Sequence, residues 1–199
     1  MIGTEMYAPN MVKRADHVAA GIVAAAANVL AEQGPAVSMA EIAEAAGVGR
    51  ATLYRYFPSR DALLAGLTTA ALEDLLGRIA DADVETASVP TALARLTRGF
   101  LTAGSKYAAL LQPGVALPDK DEQLQNRLAQ PVLDLLNRGV AEGILRADPP
   151  VGMLFEMFTG LLEKALHVVL RGESGVEQAA EAVIAVFLDG ARVSGSNGR

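Results

Sequence analysis

Five side chains able to form hydrogen bonds fall within seven residues of this chain: Arg50, Thr52, Tyr54, Arg55 and Tyr56. The chemistry they offer is recognition. Arginine matches the edge of a guanine, threonine reaches a phosphate or the thymine methyl, and a tyrosine hydroxyl donates to phosphate. From Ala45 to Arg60 there are three arginines and no acid. A polyanion requires such local positive charge.

The surrounding stretch, SMAEIAEAAGVGRATLYRYFPSR from Ser38 to Arg60, supplies elements to position them. Ser38 with Glu41 three residues on reads as a capping box that opens a helix. Ile42 and Ala46 share one face of it, and Ala43 is small enough for another helix to come close. Gly47 supplies a sharp turn where a positive φ costs little. A second short helix is expected from about Arg50 to Phe57, with Leu53 and Phe57 on one face. Pro58 disfavours helix in the residue before it, and Ser59 can cap the helix that follows. Capping boxes open many ordinary helices, and a lone exposed Tyr or Arg is usually plain surface. The joint spacing is what points to a helix-turn-helix, whose second helix enters the major groove.

The run GVGRATLYRYFPSRDALL resembles the TetR family of transcriptional regulators. The features that carry the resemblance are Ala51, Thr52, Leu53, Tyr54, Tyr56, Phe57, Arg60, Leu63 and Leu64, within residues 14–67. Arg60 stands where many members have Lys; both can meet phosphate, with different geometry. The resemblance implies DNA contacts from Ser38, Ala40, Gly49, Arg50, Ala51, Thr52, Tyr54, Arg55, Tyr56 and Arg60. It also implies an all-α chain, in which an N-terminal three-helix helix-turn-helix domain is joined by a long helix to a C-terminal bundle, with about nine helices in total. The expected division is a flexible arm at 1–13, a DNA-binding domain at 14–62, a ligand-binding and dimerisation domain at 63–193, and a disordered tail at 194–199. The function implied is that of a cytoplasmic, ligand-responsive repressor, bound as a homodimer to a palindromic operator and released by a small molecule. Two alternatives stay open: a DNA-binding regulator with no effector, and a helical enzyme with a vestigial motif.

Composition agrees. The chain has 199 residues, half of them apolar, few of them aromatic and none of them Cys. That length can bury a real core, and the alanine content favours helix. The absence of Cys excludes disulfide and thiol chemistry. The net charge is −6, yet residues 1–60 carry five basic and five acidic groups, so the excess acid lies beyond the motif. Val18–Ala31 behind Lys13 and Arg14 imitates a signal peptide, but Asp16 and His17 interrupt the flank and Asn28 interrupts the run. It reads instead as a core helix from about Ala15 to Gln33, with Val18, Ile22, Ala25, Val29 and Leu30 on one stripe. No run is long enough and sufficiently free of charge to span a membrane.

Further helices are expected over Ser59–Ala82, Pro90–Leu111, Gln125–Glu142, Pro150–Arg171 and Val176–Val193, with Gln112–Gln123 as a loop or short helix. The first of these, longer than 30 Å at about 1.5 Å per residue, can serve both domains as a lever. In the family a small-molecule pocket lies in the C-terminal half; Phe100, Tyr107, Leu111, Phe155 and Phe158 can line it or can be core. The last two helices are apolar over most of their circumference and need burial on two sides. Leu161, Leu162, Ala165, Val169, Ala180, Val183 and Phe187 are the expected contacts with a second copy. No catalytic set emerges: there is no phosphate loop and no nucleophile elbow. Glu163 and His167 could seat half a metal site, and Arg95, Arg98 and Lys106 could face an anion. Plain surface contacts are the favoured reading of both groups, so no metal and no cofactor is expected.

Overall fold

The computed structural model describes residues 8–111 and 122–191. Every regular element among them is helical: α1 (Ala8–Gln33), α2 (Met39–Ala45), α3 (Arg50–Tyr56), α4 (Arg60–Asp81), α5 (Val89–Lys106), a 3-10 helix (Ala108–Leu111), α6 (Glu122–Ala141), α7 (Val151–Leu170) and α8 (Val176–Ala191). The all-α expectation is met. The first seven residues of the expected arm, the expected loop from Gln112 to residue 121, and the tail from Ser194 lie outside the described residues.

Three helix bounds are corrected. The first helix starts at Ala8 rather than Ala15, so Pro9 opens it instead of preventing it. A proline is tolerated in the first turn, where its missing N–H has no intrahelical partner to lose. The fifth helix stops at Lys106, and Ala108–Leu111 tightens into a 3-10 turn. The helix expected from Gln125 begins at Glu122.

The chain forms two compact units, which part between Ala70 and Ala71 inside α4. The first holds α1–α3, α4 as far as Ala70, and the 3-10 helix. Here α1 packs on α2 and on the 3-10 helix, and α2 packs on α3. Ile22, Ala26 and Leu30 of α1, Ile42 of α2, Leu53 of α3, and Leu63 and Leu67 of α4 are all buried. The apolar run of α1 is therefore a core helix, as its interruptions imply. Tyr107 is buried in this unit too.

The second unit holds the rest of α4, α5 as far as Ser105, and α6–α8. Its core joins Leu93 and Leu96 of α5, Leu135 and Leu136 of α6, Leu154, Phe158 and Leu162 of α7, and Val183, Phe187 and Leu188 of α8. The rings of Phe158 and Phe187 meet at 5.0 Å with a tilt of 53°. Thr97 is fully buried and donates its hydroxyl to the Leu93 carbonyl at 2.8 Å, so no polar group is left stranded there. No helix among the described residues is long and apolar enough to cross a membrane.

Candidate nucleic-acid interface

The motif is built from short-range bonds. Ser38 Oγ accepts from the Glu41 N–H at 3.3 Å, and Glu41 Oε2 accepts from the Ser38 N–H at 2.7 Å and from its hydroxyl at 2.6 Å. That reciprocal box satisfies the first orphan donors of α2. The bonds from Ser38 hold the Glu41 carboxyl below the usual carboxylate range, the hydroxyl contributing most. At the other end Gly47 takes φ +65°, while Gly47 N–H bonds the Glu44 carbonyl and Val48 N–H the Ala43 carbonyl. This Schellman closure needs a residue that tolerates positive φ, and it turns the chain directly into α3.

Helix α3 starts behind Gly49, whose carbonyl accepts from Thr52 and Leu53, and closes at Phe57. Leu53 is fully buried and Phe57 nearly so, which pins one face. The opposite face is open: Arg50, Ala51, Tyr54 and Arg55 are exposed, and Thr52 and Tyr56 are half-buried at its edges. The Arg55 guanidinium lies 5.1 Å from the centre of the Tyr56 ring, a cation–π contact that limits where it can reach. Ser38 and Gly49 are exposed and Ala40 is half-buried. The structure thus assembles on one unit all ten residues named from the sequence.

Arg60 differs from the rest. Its Nη1 donates to the Val37 carbonyl at 2.5 Å and its Nη2 to the Pro35 carbonyl at 2.6 Å. The guanidinium expected at a phosphate therefore bridges the α1–α2 loop to the start of α4. A lysine, with a single ammonium, cannot hold both carbonyls in one fork.

In the second unit a cavity of 390 Å³ is lined by Leu75, Ile79, Leu96, Phe100, Leu128, Ala129, Val132, Phe155, Phe158, Thr159 and Leu162. Phe100, Phe155 and Phe158 are among these lining residues. Tyr107 and Leu111 are not, because the helix that would have carried them on the register of Phe100 ends at Lys106. Leu162 lines it although it was expected at an interface. Leu75 and Ile79 sat on the sequence stripe of α4, where periodicity marked them as apolar without distinguishing cavity from core. Four of the seven expected dimer contacts are corrected: Leu162, Ala180, Val183 and Phe187 are buried within the protomer. Leu161 and Ala165 pack half-buried against the main core, and Val169 against a smaller cluster of Leu101, Leu166, Ala179 and Ala180.

The remaining candidates resolve into surface contacts. Arg95 pairs with Asp83 and Arg98 with Glu177, each at 2.7 Å, and the Lys106 ammonium lies over the Tyr107 ring. Glu163 meets Lys164 at 3.3 Å. No group of three or more metal-ligating side chains occurs among the described residues.

A helix-turn-helix that buries Leu53 and Phe57 and opens an acid-free face of Arg, Thr and Tyr defines a DNA-binding protein. The model of the bacterial regulatory proteins of the tetR family matches residues 22–67. The regulator NfxB of Pseudomonas aeruginosa is 29% identical over 161 residues, covering 79% of this chain and 86% of that protein. The repressor LfrR of Mycolicibacterium smegmatis is 29% identical over 152 residues, covering 76% of this chain and 78% of that one. The crystal structure of LfrR in complex with proflavine superposes with a TM-score of 0.70 at 26% identity, covering 87% of this chain and 96% of that chain. Residues 22–67 thus match the DNA-binding part of the tetR family, and over most of its length the chain is similar in sequence and fold to TetR-like transcriptional regulators.

Proposed function

We propose that this regulator is a cytoplasmic repressor which binds a palindromic operator as a homodimer and leaves it when a small molecule occupies the 390 Å³ cavity. The observation that carries the reading is the cavity itself. Leu75 and Ile79, on the same continuous helix that begins at Arg60 beside the motif, form part of its wall. A ligand that prefers one placement of α4 shifts the population between DNA-competent and incompetent states by its differential affinity alone. LfrR, a repressor, has been solved with a small molecule bound, which supports ligand response here without naming the ligand.

Exposed apolar side chains support the homodimer. Met153 and Met157 of α7 are 51% and 54% exposed, and Val186 of α8 is 62% exposed. Large apolar side chains this open, on two helices that pack together, favour this face for a second copy. A two-fold dimer then presents two copies of α3 to successive major grooves about 34–36 Å apart, or a multiple of that distance. The test is a fluorescence-polarisation titration on the DNA flanking this protein's own gene, with selection from random duplexes alongside it. Tight, salt-sensitive binding lost in Tyr54→Ala and relieved by a ligand is the expected result. Binding that no cavity ligand relieves would leave a regulator without an effector.

A further inference from the structure

The lining of the 390 Å³ cavity restricts what can enter it. Ten of its eleven described lining residues are hydrocarbon or aromatic; the exception is Thr159. The Thr159 hydroxyl already donates to the Phe155 carbonyl at 2.9 Å and shares its proton with the Glu156 carbonyl at 3.2 Å. It can only accept. The described wall therefore offers one weak acceptor, no donor and no charge. An ionised group held against that wall would give up water there and gain no charged partner among the described lining residues, a penalty that a ligand's apolar surface does not easily offset.

Among the described residues of this unit, no charged side chain lines that cavity. A second, 600 Å³ depression, which shares Ile79 with the cavity, is lined by Glu85, Arg127, Asp134 and Arg138 among apolar neighbours. Two of those groups are engaged in structure. Arg138 donates to the Val84 and Ala87 carbonyls at 2.8 Å, and Asp134 accepts from Gln130 at 2.8 Å. None of these four side chains lines the apolar cavity.

We infer that the effector of this regulator is an uncharged, predominantly apolar and aromatic-compatible molecule with at most one hydrogen-bond donor, held by Phe100, Phe155 and Phe158. The inference rests on the effector reading above and narrows it. It separates this chain from a regulator tuned to organic cations, even though a relative of similar fold holds proflavine. The volume lies at the small end of the ~300–1,000 Å³ clefts that take drug-sized ligands.

The experiment titrates the full-length protein with two fluorescent probes that share a skeleton and differ in charge: neutral N-phenylnaphthylamine and anionic anilinonaphthalene sulfonate. Cationic proflavine serves as competitor. The neutral probe should bind saturably, at least tenfold tighter than the sulfonate, and proflavine should not displace it. Ala129→Phe, which fills the cavity from α6, should abolish that binding while the helical circular dichroism is unchanged. If the sulfonate or proflavine binds as tightly and competes with the neutral probe, the neutral class is overturned while the effector reading stands. If none of the three binds saturably, both fall. Should Ala129→Phe fail to fold, the competition on wild-type protein still decides between these outcomes.

Discussion

The ring of Phe57 lies on the bare backbone of Gly66: a Cβ at Gly66 would stand 2.8 Å from Phe57 Cε1 and 3.5 Å from Val23 Cγ2. Phe57 closes α3 and Gly66 lies in the second turn of α4, so this contact sets how closely the DNA-facing helix seats against α4. Gly66→Ala must push the ring aside. Overpacking of this kind costs about 1–3 kcal/mol, of which the better helix propensity of Ala returns about 1. The variant should melt lower than wild type and bind operator more weakly. Phe57→Leu in the same chain should recover part of both losses, a coupling that a double-mutant cycle measures. A higher melting temperature with unchanged affinity would show that α3 and α4 are not held by this contact.

Arg60 separates two roles that the sequence cannot. A phosphate contact would lower the salt slope of DNA binding by about 0.9 when removed, whereas a strut would leave the slope unchanged and lower stability. With Nη1 and Nη2 donating to the Val37 and Pro35 carbonyls, Arg60→Ala is expected to reduce the melting temperature and leave the slope as in wild type. Arg60→Lys keeps the charge but not the fork, so it should lose part of the same stability. A slope change without a stability change would return Arg60 to the phosphate backbone.

On α3 itself, Tyr54 is 48% exposed beside the fully buried Leu53. Its hydroxyl is placed to donate outward. Tyr54→Phe should weaken operator and non-operator DNA alike, because a phosphate donor carries no sequence information. Arg50→Ala should cost about 1–3 kcal/mol and relax preference at one base position if the side chain reads a guanine. Binding-site selection on both variants distinguishes the two outcomes. A preference unchanged in Arg50→Ala would reassign that arginine to the backbone or to solvent.

How much of this could be read beforehand depended on the range of the interactions involved. Ser38 with Glu41, Gly47 and Pro58 act over three or four residues, so the motif stood in the chain almost complete. Tyr107 and Leu111 failed as cavity residues because nothing local announces that α5 gives way to a 3-10 turn after Lys106. Val183 and Phe187 failed as interface residues for another reason. A helix apolar over a wide arc must bury two sides, but periodicity does not say which side meets the protomer's own core. Val183 and Phe187 went inward, and Met153, Met157 and Val186 remained outside. The Arg60 fork spans 23 and 25 residues, beyond the reach of any spacing argument.

The capping box gives a pH dependence of defined sign. Glu41 has its carboxyl pKa lowered by the Ser38 hydroxyl and then by the Ser38 N–H. A group depressed in the folded state contributes stability above its unfolded pKa and loses it as pH falls through the depressed value. Glu41→Gln retains an acceptor for Ser38 but no charge. The melting temperature of wild type should exceed that of Glu41→Gln at neutral pH, and the gap should close on acidification below the ordinary carboxylate range. A gap independent of pH would mean that the charge of Glu41 contributes nothing to the cap.

The two sides of α7 and α8 should respond to substitution in opposite ways. Phe187 is buried and stacks on Phe158, so Phe187→Ala should cost about 3–5 kcal/mol and unfold the second unit rather than separate subunits. Met157 and Val186 are mostly exposed in the protomer, so Met157→Glu or Val186→Arg should leave its fold intact. If these residues meet a second copy, either charge would be buried without a partner, and dissociation should follow. Sedimentation velocity would then show a monomer with native circular dichroism. Operator affinity should fall steeply, because one copy of α3 alone loses the second half-site. A dimer that survives both charged variants would place the two-fold contact on some other face, and Met153 and Met157 would then be ordinary exposed side chains.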